Sequence, residues 1–311
     1  MARFSIAGIQ MHVSATQSNV ETMKSRLDSL MAVYPWVQMV MFSELAACGP
    51  LPSSAQELPG SSEHALCEMA AKHRVWLVPG SMFERGSDGK IYNTASVIDP
   101  EGTVVGRYRK MFVFAPYETG VAAGDQFFVF DVPGVGRFGM SICYDTWFPE
   151  FTRTLVSMGA EVILRPTLTS SIDRDVELSI TRAMAAVNQC YIFDINGLSA
   201  GGYGRSIVCG PHGKVLHEAG SGEEFIPLEI DFDEVRRSRE RGILSLGQPL
   251  KSFRDRPAAF PIYQPGADLT YLDSLGPLVK PGRSWNDSDT AATTGAASVD
   301  YSSAGSETFP E

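Results

Sequence analysis

The stretch that decides the fold and the chemistry is Arg137-Phe-Gly-Met-Ser-Ile-Cys-Tyr-Asp-Thr-Trp-Phe-Pro-Glu150. An apolar run typical of a strand ends at Ile142, and Pro149 suits the first position of a helix. Cys143 lies in the turn between them, where unpaired backbone N–H groups and the positive end of a helix dipole favour a thiolate. We therefore predict a reactive cysteine whose pKa is lowered. The alternative is an inert cysteine that fills a small space in the core.

Outward from this turn, apolar runs typical of strands alternate with segments of helical period. The alternation, together with two hairpin turns at 99–102 and 210–213, predicts an α/β domain with mixed sheets. The predicted strands are 4–10, 37–42, 75–79, 94–98, 103–109, 127–130, 136–142, 161–164, 191–195, 206–209, 214–217 and 225–230. The predicted helices are 19–32, 63–72, 149–158, 176–188 and 233–240.

Three regions differ in composition. Residues 1–265 carry the alternating pattern and form the predicted catalytic domain, and 266–283 form a predicted surface arm. Residues 284–311 are rich in Ser, Thr, Ala and Gly and hold five acids and no base. Because so few apolar side chains cannot offset the entropy of ordering, we predict a disordered acidic tail there.

Composition excludes several classes of protein. The 311-residue chain is 44% hydrophobic and has a net charge of −10, so it lacks the basic face of a nucleic-acid-binding protein. Five cysteines without a Cys-x-x-Cys pair favour a reducing compartment over a disulfide framework. No segment has the length of a signal peptide's apolar core or of a membrane helix. These features predict a cytoplasmic protein with no membrane partner.

Two further residues follow directly after apolar strands, as Cys143 does. Glu44 follows 37–42, and Lys110 ends the hairpin strand 103–109. A thiol nucleophile needs a base, and burial can raise the pKa of a glutamate enough for it to serve. The charge that develops on the attacked carbonyl needs fixed donors, which Lys110 and the backbone N–H of Tyr144 can supply.

A cysteine–histidine pair is the competing arrangement for such a nucleophile. The five histidines are His12, His64, His73, His212 and His217. None of them stands at a strand end with an Asn or Asp partner, so the Glu–Lys–Cys set is favoured.

These residues belong to three motifs that occur in a fixed chain order: Phe42-Ser-Glu-Leu45, Arg107-Tyr-Arg-Lys110 and the stretch around Cys143. Together they resemble the nitrilase superfamily of carbon–nitrogen hydrolases, whose catalytic triad is Glu–Lys–Cys. The resemblance covers residues 4–260. It implies a four-layer αββα sandwich with two mixed sheets, pairing into homodimers or higher homo-oligomers, and no metal or organic cofactor.

The resemblance also assigns roles outside the triad. Glu118 matches the second glutamate of the family, which orients the lysine and contacts substrate. The segment 181–191 resembles the family's helix-to-strand segment, in which we expect Arg182 and Asn188 to be structural.

The residues after the nucleophile bear on the reaction. Cys143-Tyr-Asp145 is similar to the amidase and carbamoylase branches, whereas nitrilases commonly carry Cys-Trp-Glu. The resemblance therefore implies hydrolysis of a small non-peptide amide to a carboxylic acid and ammonia, or an amine, through a thioester. Nitrile hydrolysis through a thioimidate and N-carbamoyl amide hydrolysis stay open as alternatives. A non-catalytic binding protein is disfavoured because the whole triad is present.

The residues around the triad also predict contacts with the substrate. Thr146 and Trp147 stand where amino-acid carbamoylases of the family carry arginines, which disfavours that substrate class. Tyr144, Trp147, Tyr117 and Phe112 predict an apolar or aromatic wall. Arg165, at the end of strand 161–164, can bind an anionic group of the substrate, and a salt bridge between subunits explains it equally well.

Overall fold

Two β-sheets pack face to face in this protein, and helices cover both outer faces. The structure is a computed structural model and describes residues 3–280. One sheet has eight strands, with the order β16-β1-β2-β3-β5-β4 and with β6 and β7 both paired to β5. The other has six strands in the order β15-β14-β11-β10-β9-β8, and β12 and β13 form a separate two-stranded sheet. The strands are β1 Arg3–Gln10, β2 Met39–Phe42, β3 Trp76–Val78, β4 Met82–Arg85, β5 Ile91–Ile98, β6 Val104–Arg109, β7 Val121–Ala122, β8 Val129–Val132, β9 Gly136–Met140, β10 Val162–Thr167, β11 Tyr191–Asn196, β12 Leu198–Ser199, β13 Gly202–Tyr203, β14 Ile207–Cys209, β15 Val215–Glu218 and β16 Glu224–Asp231.

The side-chain alternation of β2 shows how the layers form. Met39 and Met41 point into the core between the two sheets, whereas Val40 and Phe42 point into a second core beneath the outer helices. Because successive strand residues face opposite sides, a strand buried on both faces must be apolar throughout. This explains why β2 is a continuous hydrophobic run.

The helices are α1 Val20–Val33, α2 Ser61–His73, α3 Pro149–Ser157, α4 Ser171–Asn188, α5 Phe232–Arg241, α6 Pro249–Arg254 and α7 Thr270–Asp273. Leu27 and Leu30 of α1 and Leu66 of α2 are fully buried against the first sheet. Leu155 of α3 and Ala185 of α4 are buried in the same core as the second sheet. The order helix, sheet, sheet, helix confirms the predicted four-layer sandwich. No helix within residues 3–280 is long and apolar enough to span a bilayer.

Most predicted elements are present within a few residues of the predicted bounds. Two differences matter for the site. Helix α4 begins at Ser171 and not at 176, so its first turn stands beside the nucleophile. The loop after β3 contains a strand that the sequence pattern did not indicate, β4, which pairs antiparallel with β5.

The described part of the predicted arm, residues 266–280, lies exposed on the surface and contains the short helix α7. Its last residue reaches the catalytic face, where Lys280 Nζ lies 5.1 Å from the centroid of the Tyr117 ring. The predicted disordered tail, 284–311, lies outside the described residues.

Candidate active site

The structure brings the three predicted catalytic side chains together at one edge of the sandwich. Glu44 follows β2, Lys110 follows β6, and Cys143 begins a short 3₁₀ turn, Cys143–Trp147, just after β9. The Glu44 N–H donates to the carbonyl of Thr167 at the end of β10, at 3.2 Å, and so joins the two sheets. The side chains therefore stand on strand ends that packing holds rigid.

Lys110 bridges two glutamates in the interior. Its Nζ donates to Glu44 Oε1 and to Glu118 Oε2, each at 3.0 Å, and the lysine side chain is 1% exposed. Burial alone would favour the neutral amine, but the carboxylates of Glu44 and Glu118 outweigh it and raise the pKa of Lys110. The site therefore holds a permanent ammonium group, as oxyanion stabilisation requires.

Glu44 has the character of a base. Burial raises the pKa of its carboxyl, although the ammonium of Lys110 opposes the shift. Its Oε1 also accepts a hydrogen bond of 2.8 Å from Asn93 Nδ2, which fixes its orientation. A glutamate whose pKa is raised toward neutrality can both take and return a proton.

Cys143 differs from the prediction in one respect. Its pKa is raised well above the usual value, mainly by burial and then by the charge of Glu44, so the predicted lowering was wrong. The helix dipole does not act directly on the sulfur, because the 3₁₀ turn separates Cys143 from the start of α3 at Pro149. The resting nucleophile is therefore a neutral thiol, and a neighbouring base is needed to remove its proton.

The backbone of Cys143 is held in a left-handed conformation, with φ at 42°. This conformation costs a non-glycine residue about 1 to 2 kcal/mol, so the surrounding contacts must impose it. The Sγ atom lies 3.4 Å from Thr169 Oγ1. The strained turn presents the thiol to the space between β9 and the start of α4.

Asp145, which the sequence analysis did not assign, anchors this turn. Its Oδ2 accepts hydrogen bonds from the N–H of Ile142 at 2.8 Å and from the Tyr108 hydroxyl at 2.7 Å. Its Oδ1 accepts one from the N–H of Phe112 at 3.0 Å. Burial raises the pKa of this carboxyl to about 6. Asp145 thus ties the nucleophile turn to the chain that leaves Lys110.

The structure corrects the interpretation of Arg165. Its side chain is 1% exposed and donates to Asp194 Oδ2 at 2.9 Å. It also donates to the hydroxyls of Thr146 and Thr181. Because the guanidinium is enclosed within the subunit, it contacts neither a substrate nor a neighbouring subunit. Its role is to hold Thr146, and with it the turn that carries Cys143.

Arg165 is part of a buried network that continues through α4. Arg174 Nη1 donates to Asp194 Oδ2 at 3.1 Å and to Glu177 Oε2 at 3.2 Å. Burial opposes ionisation of Asp194, but Arg174 and Arg165 outweigh it and lower its pKa to about 2. Glu177 Oε1 accepts a hydrogen bond of 3.2 Å from the indole N–H of Trp147. The network therefore ends at Trp147, which lines the same cavity as Cys143.

Two cavities meet at Cys143. The first, which we call the Lys110 cavity, has a volume of about 360 Å³ and contains the triad, Glu118 and Tyr117. The second, which we call the Trp147 cavity, has a volume of about 230 Å³ and is lined by Phe114, Cys143, Tyr144, Trp147, Leu168, Thr169, Ser170, Asp173, Glu177 and Gly201. Three predicted contact residues, Tyr117, Tyr144 and Trp147, thus lie on the walls.

The prediction that Phe112 is part of this wall was wrong. Phe112 lines neither cavity, because its ring stacks on Phe148 at a centroid distance of 3.6 Å. Phe114 takes the expected position, since it lines both cavities and its ring lies 5.0 Å from that of Tyr144. The sequence could not distinguish Phe112 from Phe114, because both follow Lys110 closely and only the loop conformation decides which ring points into the cavities.

Arg182 and Asn188 have the structural contacts expected of them. Arg182 Nε donates to the carbonyl of Gly213 at 2.9 Å, and Asn188 Nδ2 donates to that of Met184 at 3.0 Å. No histidine of residues 3–280 lines either cavity, which leaves the cysteine–histidine alternative without a partner for the thiol. In the same range no group of three His, Cys, Asp or Glu side chains is placed to hold a metal ion.

Comparisons with known proteins agree with this site and fold. Residues 5–240 match the family model described as carbon-nitrogen hydrolase, and the chain therefore belongs to that family. It is an enzyme family, and the predicted resemblance to the nitrilase superfamily is confirmed.

The chain is 30% identical to omega-amidase NIT2 of Homo sapiens over 205 residues, which cover 61% of this chain and 74% of that protein. Among solved structures it is similar to Saccharomyces cerevisiae Nit3, a member of branch 10 of the nitrilase superfamily. That likeness has a TM-score of 0.71 and 26% identity, and it covers 77% of this chain and 94% of the other. A carbon–nitrogen hydrolase from Helicobacter pylori G27 has the same fold, with a TM-score of 0.71, 23% identity and coverage of 82% and 96%.

Proposed function

We propose that this enzyme is a cysteine-dependent amidase that hydrolyses a small non-peptide amide to a carboxylic acid and ammonia, or an amine. The observation that carries the proposal is the buried Lys110 ammonium group, held between two glutamates in a cavity that opens onto the Cys143 thiol. The similarity to a protein named omega-amidase supports the choice of an amide.

The first half-reaction forms a thioester. Glu44 takes the thiol proton as the Cys143 sulfur attacks the amide carbon, so no free thiolate has to persist in the interior. The Lys110 ammonium and the Tyr144 N–H stabilise the negative charge on the carbonyl oxygen. Glu44 then gives its proton to the nitrogen, the carbon–nitrogen bond breaks, and ammonia leaves.

The second half-reaction returns the free enzyme. Glu44 takes a proton from a water molecule, which attacks the thioester carbon, and the same donors stabilise the oxyanion. The carbon–sulfur bond then breaks, and the sulfur recovers the proton from Glu44. Glu118 positions Lys110 throughout, because its Oε2 accepts from Nζ and also from the N–H of Phe114 at 2.5 Å.

The size of the site supports a small substrate. Cavities of about 360 and 230 Å³ hold a compact acyl amide but not a folded polypeptide. Nitrile hydrolysis uses the same nucleophile and would yield ammonia from a thioimidate. Parallel assays with an amide and the nitrile of equal carbon skeleton separate the two reactions, because only an amidase releases ammonia from the amide alone.

The direct experiment is ammonia release by Cys143→Ala. We expect no release above background from a folded variant, whereas Cys67→Ala, which changes a cysteine of α2 outside both cavities, should keep the activity. Ammonia release by folded Cys143→Ala would refute the proposal. Assembly into a homodimer and a cytoplasmic location stay predictions, which light scattering and cell fractionation can test.

A further inference from the structure

The Trp147 cavity has chemistry that the catalytic triad does not use. It shares Cys143, Phe114 and Leu168 with the Lys110 cavity, but neither Glu44 nor Lys110 lines it. A substrate whose carbonyl carbon meets the Cys143 sulfur must place its acyl chain in one of these two spaces. The Lys110 cavity holds the base and the oxyanion donor, and a water that Glu44 deprotonates must approach from it, because Glu44 does not line the other cavity. The Trp147 cavity is therefore the space available to the acyl chain.

The walls of this cavity are aromatic and acidic. The rings of Phe114, Tyr144 and Trp147 line it, with the Tyr144 and Trp147 centroids 6.2 Å apart. Asp173 and Glu177, one helical turn apart on α4, line it as well. No Lys or Arg of residues 3–280 is among the lining residues.

The two acids differ in how their charges are compensated. Glu177 is 3% exposed and accepts hydrogen bonds from Trp147 and Arg174, so both of its carboxylate oxygens have partners. The Asp173 side chain, on the first turn of α4, has neither a hydrogen bond nor an ion pair with another side chain or backbone group in the range 3–280. It is the uncompensated charge of the cavity, and it is half-buried.

We propose that the Trp147 cavity binds the acyl chain of the substrate and selects chains that end in a protonated amine over chains of similar length that end in a carboxylate. The inference rests on the proposed amidase function and names its substrate class. A carboxylate would meet Asp173 and Glu177 with no basic partner, whereas an ammonium group would meet Asp173 and the faces of the aromatic rings. Specificity then comes from repulsion of the wrong charge as well as from attraction of the right one.

The test compares three amides of nearly equal length: δ-aminovaleramide, hexanamide and glutaramate, which carry a cationic, a neutral and an anionic chain end. We expect kcat/KM to fall in that order. The ratio of the cationic to the anionic substrate should be at least about tenfold, which corresponds to about 1.4 kcal/mol. A preference for glutaramate would overturn the inference.

Variants of Asp173 test whether this residue causes the preference for a cationic chain end. Asp173→Asn should lower the ratio about tenfold, and Asp173→Lys should invert the preference toward glutaramate. The matched control is Asp175→Asn on the same helix, because Asp175 points away from the cavity and pairs with Arg205. It should leave the ratio unchanged. An unchanged ratio in folded Asp173→Asn and Asp173→Lys would contradict the role of Asp173.

The result also separates this inference from the proposed function. Hydrolysis of hexanamide without charge discrimination would reject the inference and keep the amidase. If none of the three amides releases ammonia and none acylates Cys143, both proposals fail.

Discussion

Lys110 Nζ and Glu44 Oε1 lie 3.0 Å apart, and their side chains are only 1% and 3% exposed. An ion pair removed from water in this way contributes little net stability, because the cost of desolvation offsets most of the attraction. Its function is electrostatic. The pair keeps a positive charge beside the reacting carbonyl and at the same time keeps a base beside the Cys143 thiol.

The role of Glu44 as the base leads to the first prediction. Glu44→Gln keeps the shape of the side chain but cannot take the thiol proton. We expect kcat to fall by about 10²–10⁴-fold. The control is Glu57→Gln, an exposed glutamate on the loop after β2. Equal losses in both variants would show that the effect is not specific to the site.

Lys110 is tested by Lys110→Met, which removes the ammonium and keeps most of the apolar stem. We expect kcat to fall by about 10²–10³-fold, because one oxyanion donor is lost. The melting temperature should fall as well, since Glu44 and Glu118 would face each other without a counter-charge. A variant with normal turnover would contradict the assignment of Lys110.

The pH dependence follows from Glu44, whose pKa is raised above its usual 4.5 by burial. The base acts only when deprotonated, so activity should be lost as pH falls through this raised pKa. We expect the acidic limb of kcat/KM to lie above pH 4.5. The measurement is a pH profile of kcat/KM with a neutral amide, whose own ionisation cannot shift the limb. A limb below that value would contradict the role given to Glu44.

The buried network predicts a stability effect. Asp194→Asn leaves Arg165 and Arg174 enclosed without their carboxylate, which should lower the free energy of unfolding by about 3 to 5 kcal/mol. Asp131→Asn, which breaks an exposed pair with Arg137, should cost less than about 1 kcal/mol. Denaturant unfolding measures both losses in the free energy of unfolding. Similar losses would show that the buried network stabilises the fold no more than an exposed ion pair does.

The same network gives a pH effect of known sign. Asp194 has its pKa lowered from 3.8 to about 2, so its contribution to stability is complete above pH 3.8 and is lost as pH falls toward 2. The difference in stability between the wild type and Asp194→Asn should therefore shrink over that interval.

The strands and the triad could be predicted from sequence because they depend on local patterns. A buried strand such as β2 must be a continuous apolar run, and Glu44, Lys110 and Cys143 follow directly after such runs. Glu118 required the resemblance to a family, since its own surroundings look like an ordinary turn.

The rest of the site could not be predicted, because it depends on contacts between residues that are far apart in the sequence. Asp173 precedes the predicted helix 176–188 and Glu177 lies at its start, yet both line a cavity, because α4 begins at Ser171 and packs against the nucleophile turn. Arg165 looked available to a ligand, and only the position of Asp194 on the neighbouring strand β11 shows that it is paired. The pKa of Cys143 likewise is raised by burial and by the charge of Glu44, a residue far from it in the sequence.

The central claim is that Cys143 carries the acyl group, and mass spectrometry tests it most directly. The enzyme is mixed with hexanamide, quenched with acid during turnover, and measured intact and after proteolysis. We predict a mass increase of one acyl group, replacing the thiol hydrogen, located on the peptide that contains Cys143 and absent from Cys143→Ala. Steady hydrolysis with an acyl group on another residue, or turnover undiminished in folded Cys143→Ala, would contradict the claim.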